Sequence, residues 1–389
     1  MEGWKDGTIS SVATIGNGCD YKHLKEGDVP VFGTGGYMSS VSDFLYDGET
    51  VCIGRKGTID VPMFHTGKIW TVDTLFYTHS FNNILPKYLF YVFQTINWKK
   101  YNEATGVPSL SKRTIEQIEI SFPESEDEQR EIVNILSTID HNIEQTEQLI
   151  TKYKNIKQGL MHDLLTFGVD ENGNIRNPQT HAFVEKRGML VPAEWEVFCI
   201  DELADLKSGG TPNRGESSFW NGGIPWVKTG EINYSIITDT EEYITEKGLN
   251  SSSAFLFPRG TILMALYGQG KTRGRVAILD IEAASNQACL GFLNIREVIA
   301  SYLYLSLCYN YEKLRDLSND GSQQNLSATL IKDFLLGIPL DEKEQDRITE
   351  ILEQQDKLID SEQTNLNKLQ MLKQGLMQDL LTGKVRVNL

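Results

Sequence analysis

Two stretches of this 389-residue chain carry nearly the same residues at a constant offset of 216 (Gln129 to Gln345). The first runs from Phe122 to Leu136 and on to Lys157-Gln-Gly-Leu-Met-His-Asp-Leu-Leu-Thr166. The second runs from Ile338 to Leu352 and on to Lys373-Gln-Gly-Leu-Met-Gln-Asp-Leu-Leu-Thr382. Pro123 matches Pro339, Ile132 matches Ile348, Asp140 matches Asp356, Gly159 matches Gly375 and Asp163 matches Asp379. Self-similarity over more than 40 residues makes the chain two copies of one unit.

Each copy is patterned as a long helix with an apolar seam. Ile132, Leu136, Ile139, Ile143, Thr146, Ile150, Tyr153, Lys157 and Leu160 follow one another in steps of four and three. Ile348, Leu352, Gln355, Ile359, Glu362, Leu366, Leu369, Lys373 and Leu376 fall at the same places in the second copy. A 3-4 alternation held over roughly four heptads is coiled-coil patterning. Apolar neighbours of the seam (Ile135, Leu149, Ile156; Ile351, Leu358, Leu372) widen the stripe beyond one partner. A lone helix cannot bury such a stripe, so the two copies are expected to pair antiparallel within the chain and to leave their flanks for other proteins. A homodimeric zipper is the alternative.

The rest of the chain is expected to be α+β, with two globular mixed domains alternating with the two helices. The expected boundaries are 1–118 for the first globular domain, 119–168 for the first repeat helix, 169–187 for a glycine- and asparagine-rich linker, 188–330 for the second globular domain and 331–385 for the second helix. Trp195–Leu206 parallels Trp4–Ile15, Ile224–Gly230 parallels Val29–Gly35, and Ser285–Leu290 parallels Trp70–Leu75. Leu110-Ser111 has its counterpart in Leu326-Ser327, within a segment that begins at Asp320. Tyr302, Tyr304, Tyr309 and Tyr311 belong to a helical stretch and read as core.

The net charge of −16 weighs against nucleic acid until it is located. Glu116–Asp163 carries −7 and Lys332–Lys384 carries −4, leaving −5 for the larger remainder. Acidic helices suit protein partners while the remainder can face phosphate. No 18-residue apolar run exists, so no membrane contact is expected. The first residues lack a basic-then-apolar leader, and the five cysteines (Cys19, Cys52, Cys199, Cys289, Cys308) are scattered, so the expected location is cytoplasmic.

Four loops have the composition of a DNA-contacting surface. Phe32-Gly-Thr-Gly-Gly-Tyr37 offers Thr34, Gly35, Gly36 and Tyr37, and Ile53-Gly-Arg-Lys-Gly-Thr58 offers Arg55 and Lys56. In the second domain, Lys228 and Thr229 lie in one loop, and Tyr267, Gln269, Lys271, Arg273 and Arg275 in another. Glycine lets backbone approach phosphate closely, arginine forks to guanine, glutamine pairs with adenine and lysine neutralises phosphate. Tight turns and solvated loops share this composition, so both readings stand. Gly270-Lys-Thr272 is not a nucleotide-binding loop, because Ala265 occupies the place of its required leading glycine. The six histidines show no metal-ligand spacing, and no catalytic constellation or metal site emerges.

Two variable domains alternating with near-identical helices, the Glu-Gln-x-x-Ile motif and the repeated Lys-Gln-Gly-Leu-Met-x-Asp-Leu-Leu-Thr motif together resemble the specificity subunit of type I restriction-modification systems. The resemblance covers essentially the whole chain and is strongest in Asp127–Thr166 and Lys343–Thr382. It implies a non-catalytic subunit whose domains each read one half of a split, asymmetric double-stranded DNA site. Ile132, Leu136, Ile139, Ile143, Ile150, Leu160, Ile348, Leu352, Ile359, Leu366, Leu369 and Leu376 would serve the spacer and its docking surface. Implied partners are two adenine methyltransferase subunits, which bring S-adenosylmethionine, and a restriction-translocation subunit, which uses ATP and Mg. No cofactor is expected on this chain. The competing reading is a coiled-coil scaffold without specific DNA binding.

Overall fold

The computed structural model describes residues 3–268, 270–318 and 325–387. It divides into two compact units, Met1–Ile150 with Ser361–Leu389, and Thr151–Asp360. The two long helices, Glu126–Thr166 and Glu342–Leu380, run through both. Each unit therefore contains the N-terminal half of one helix and the C-terminal half of the other.

In the first unit, strand Trp4–Thr8 pairs antiparallel with Glu119–Pro123 immediately before the first long helix. One sheet has the order Thr14–Asn17, Leu75–His79, Thr50–Gly54, Met63–His65. A second has the order Gly36–Val41, Glu26–Gly33, Lys68–Thr71, Tyr46–Asp47. Helix Pro86–Thr95 buries Tyr88, Leu89 and Phe93 in a core that also takes Ile132 and Leu136 from one long helix and Leu380 from the other.

The second unit repeats this plan. Trp195–Cys199 pairs with Leu335–Pro339. The strands Asp205–Ser208, Cys289–Leu293, Ile262–Ala265 and Val276–Leu279 follow the same order, with Ile236–Ile237 added at the edge. Glu242–Ile244, Trp220–Val227 and Ala284–Ser285 form the other sheet. Parallel register confirms the correspondence of Val29–Gly35 with Ile224–Gly230 and corrects the other by one residue: Val31 and Phe32 lie opposite Trp70 and Thr71, as Trp226 and Val227 lie opposite Ala284 and Ser285, so Ser285 matches Thr71 and not Trp70. Of the four tyrosines expected in the core, Tyr302 is fully buried in helix Ala300–Tyr309, whereas Tyr304, Tyr309 and Tyr311 are half-buried and Tyr311 opens a separate short helix, Tyr311–Asp316.

The repeated residues act alike in both units. Ser125 caps the first long helix by accepting from the Glu128 amide at 3.3 Å, and Asp341 caps the second by accepting from Lys343 at 3.1 Å. The Gln129 carboxamide accepts from Leu85 N at 2.8 Å and donates to the carbonyls of Asn83 and Pro123 at 3.0 and 2.9 Å. Gln345 accepts from Ile299 N at 2.8 Å and donates to Glu297 and Pro339 at 3.3 and 2.8 Å. Asn83 and Glu297 both have positive φ, 56° and 60°, so each glutamine ties down an uncommon backbone bend. One buried side chain thereby joins a helix start, a strand end and a loop.

The seam faces inward as its spacing requires: of the eighteen seam residues named above, eight are buried, ten are half-buried and none is exposed. Lys157, Lys373 and Gln355, three of its polar members, are partnered across the helix pair. Lys157 reaches Asp356 at 2.5 Å in the second unit, and Lys373 reaches Asp140 at 2.7 Å in the first. Gln355 donates to the Tyr153 carbonyl at 3.3 Å. Such reciprocal pairs specify antiparallel register more than they add stability.

The stretch after the first helix is no slack tether. Its Arg176 is buried and grips Glu344 through both terminal nitrogens, at 2.5 and 2.9 Å. Glu344 also accepts from Trp195 Nε1 at 3.0 Å and Val169 N at 3.1 Å. In the first unit, Arg386 grips the equivalent Glu128 at 2.6 and 2.7 Å, though its own side chain is 45% exposed. Removing one member of a buried ion pair leaves an uncompensated charge. Arg176→Ala is expected to lower stability by about 3–5 kcal/mol in urea unfolding, and Arg386→Ala by less.

Candidate nucleic-acid interface

The two glycine-rich loops of the first unit meet. Strand Glu26–Gly33 turns through Thr34, Gly35 and Gly36 into Gly36–Val41, and Gly36 has φ +104°. A Cβ at Gly33 would lie 2.6 Å from Met38 Sδ, so only glycine lets that side chain fold back there. Phe32 stacks on His65 at 3.9 Å between ring centroids and meets Tyr37 edge-on at 6.3 Å. Burial lowers the His65 pKa, so this support is an uncharged ring at neutral pH. Tyr37 itself is 64% exposed, an aromatic face on a rigid tip.

Thr34 of this turn lies against the second loop, its Oγ1 3.4 Å from where a Gly57 Cβ would stand. The amides of Arg55 and Lys56 both donate to the Thr74 carbonyl, and Gly57 N donates to Pro108 at 2.8 Å. The exposed Arg55 and Lys56 are thus displayed from a fixed backbone. With Asn17, Phe76, Ser111 and Lys112 they line an open cleft of about 600 Å³. Asn17 and Lys112 come from segments that local composition does not single out, and strand pairing brings them here.

The second unit places different chemistry at equivalent positions. Leu110 N donates to the Arg55 carbonyl, and Leu326 N to the Leu266 carbonyl. Leu266 and Tyr267 therefore stand where Arg55 and Lys56 stand in the first unit. Lys228 replaces Gly33, and its ammonium pairs with Glu241 at 2.6 Å and Glu242 at 3.3 Å. The hydrogen bond to Glu241 raises its pKa first, so it stays charged but is locally neutralised. Thr229 begins the short 3-10 turn Thr229–Glu231.

The loop of Tyr267–Arg275 divides its bases. Tyr267 is 43% exposed, Lys271 is exposed, and Arg273 is buried at 4% exposure. Arg275 is half-buried, donates to Asn233 at 2.5 Å and lies over the Tyr234 ring at 5.6 Å. The loop backbone is anchored where Tyr311 donates to the Lys271 carbonyl and Arg315 to the Arg273 carbonyl. Lys271 is thus the one arginine or lysine of this described loop that the fold leaves fully outward, and burial directs Arg273 to packing. Gln269 lies outside the described residues, as do residues 320–324 of the segment leading to Leu326. Among the described residues no group of three metal-ligating side chains gathers, and no helix is long and apolar enough to cross a membrane.

Two units of one topology, each with a differently equipped loop surface and both built on one antiparallel helix pair, define a duplicated two-domain recognition protein. A family model described as "Type I restriction modification DNA specificity domain" matches residues 1–155 and 192–371, and the chain belongs to that family. It is similar to the type I restriction enzyme MjaVIII specificity subunit of Methanocaldococcus jannaschii, at 27% identity over 88% of this chain and 78% of the relative. The MjaIX specificity subunit of the same organism is 29% identical over 44% of this chain and 40% of its own. The crystal structure of the type I restriction-modification S subunit from M. genitalium has the same fold, with a TM-score of 0.64 at 16% identity, covering 97% of this chain and 96% of that one. The chain is accordingly a non-catalytic DNA target-recognition subunit of a type I restriction-modification system.

Burial pushes the thiols of Cys52 and Cys289 up to about 12, while Cys19 is exposed two residues beyond Asn17. At pH 8 those two buried thiols hold almost no thiolate. A disulfide-exchange reagent is expected to label Cys19 rapidly in the native protein and to reach Cys52 and Cys289 only on unfolding.

Proposed function

We propose that the chain directs adenine methylation and restriction to one bipartite, asymmetric DNA target. The domain within residues 1–118 reads one half-site and that within 188–330 the other. The paired helices fix the spacing and dock two adenine methyltransferase subunits, which supply S-adenosylmethionine and the chemistry. A restriction-translocation subunit using ATP and Mg joins for cleavage.

The observation that carries this reading is the mismatch of chemistry at matched positions. Gly33, Arg55 and Lys56 are replaced by Lys228, Leu266 and Tyr267 on the same backbone plan, which would give the two halves different base preferences. The exposed apolar residues Ile156 (41%), Leu358 (47%), Leu372 (49%) and Met371 (72%) on the long helices support protein docking there.

Exchanging Trp195–Leu330 for the corresponding domain of another family member is expected to change one half-site and leave the other and the spacing intact. The readout is the adenine methylation pattern on random duplex DNA by the co-purified complex. Change in both halves would overturn the modular reading, and absence of sequence-selective binding would favour the scaffold alternative. Lys56→Ala is expected to weaken binding to all duplexes and to reduce the slope of log affinity against log salt by about 1, as loss of one phosphate contact does.

A further inference from the structure

We infer that Arg214 is a specificity-determining residue of the second domain that recognises a guanine in its half-site. The inference rests on the DNA-reading function proposed above and assigns a residue outside the loops that composition points to.

Arg214 sits in the turn that follows strand Asp205–Ser208, beside Lys228. Its guanidinium lies over Trp220 at 3.8 Å and over Trp226 at 4.8 Å, and those indoles pack edge-to-face at 5.1 Å. Nη1 donates to Glu242, whose other oxygen takes Lys228 at 3.3 Å. The same indoles hold the backbone beneath: Trp226 Nε1 donates to the Gly210 carbonyl at 3.0 Å and Trp220 Nε1 to the Asn213 carbonyl at 3.2 Å. The turn packs closely on its neighbours, because a Cβ at Gly209 would lie 2.3 Å from the Ser285 carbonyl oxygen and one at Gly210 2.3 Å from the Ser253 backbone.

A long cation normally loses much side-chain freedom on making a directed contact. Here two rings and a carboxylate have already removed it, while 53% of the side chain stays in solvent. The Nε–Nη2 edge has no partner among the described residues and presents two parallel N–H groups. That fork matches guanine O6 and N7 in the major groove. A phosphate contact needs only charge, and Glu242 offsets the charge here, so the arrangement favours a base edge over the backbone. Beside it, Thr211 donates to the exposed Gln287, an amide-bearing side chain.

The test compares wild type, R214K and R214Q as full chains with their co-purifying methyltransferase, scoring methylation across a randomised duplex library and melting temperature in parallel. R214K keeps the positive charge and ring contact but not the fork. It is expected to lose about tenfold or more of the discrimination for a G·C pair at one position, leaving other positions unchanged. R214Q is expected to move that same position towards A·T. A library profile unchanged in both folded variants overturns the assignment, as does a uniform loss across all sequences, which is the signature of a phosphate or structural role. If R214K melts early, R214Q decides by the same criteria. A wild-type complex without sequence selectivity overturns the DNA-reading function itself, whereas a selective wild type with indifferent variants overturns Arg214 alone.

Discussion

Everything else in this protein depends on two helices that cannot be buried alone. Glu126–Glu147 carries seven acids and one base, and the following stretch to His162 carries Lys152, Lys154 and Lys157 without an acid. The second helix repeats the gradient, from the acid-rich Glu342–Glu362 to Lys368 and Lys373. Acids at the start and bases toward the end suit each helix dipole. They also favour the antiparallel arrangement, in which each acidic half meets the other helix's basic half. Lys157–Asp356 and Lys373–Asp140 are the contacts at which that gradient becomes register.

The same pairing makes each globular unit a composite. Ile132 and Leu136 share a core with Leu380, and Ile348 and Leu352 share one with Leu164. The first unit completes its core with a segment from the far end of the chain, whereas the second draws both helix halves of its core from the continuous stretch Thr151–Asp360. The glutamine brace then joins each helix start to its domain, and the glutamate–arginine clasp joins the tail of the partner helix to that same helix start. These buried polar ties define one geometry where apolar packing alone would tolerate several. A recognition loop set on such a base displays its side chains at fixed positions, which direct readout of base edges requires.

Legibility in the sequence followed the range of the interactions. The seam and the correspondence of Val29–Gly35 with Ile224–Gly230 arise from spacing and short-range chemistry, and both appear in the structure where the sequence places them. The candidate DNA residues were legible only as composition. Lys271, Arg55 and Lys56 are outward, yet Arg273 in the same basic loop is buried and Lys228 is neutralised by Glu241 and Glu242. The loop of residues 267–275 does not show which of its cations its own fold consumes. Arg214 was missed for the converse reason, since the Trp220–Trp226 platform that orients it forms only when strand Trp220–Val227 is in place.

By itself, then, the sequence determined the duplication, the helical seam and the antiparallel preference, because each depends on periodicity or on charge order along one element, and its repeated motifs carried the resemblance to the family. Only the tertiary structure decided which arginines face solvent, which glutamate holds which arginine, and that residues as distant as Asn17, Arg55 and Lys112 line one cleft. Those outcomes depend on contacts across the chain, and a side chain's exposure is set by neighbours that its local sequence does not contain.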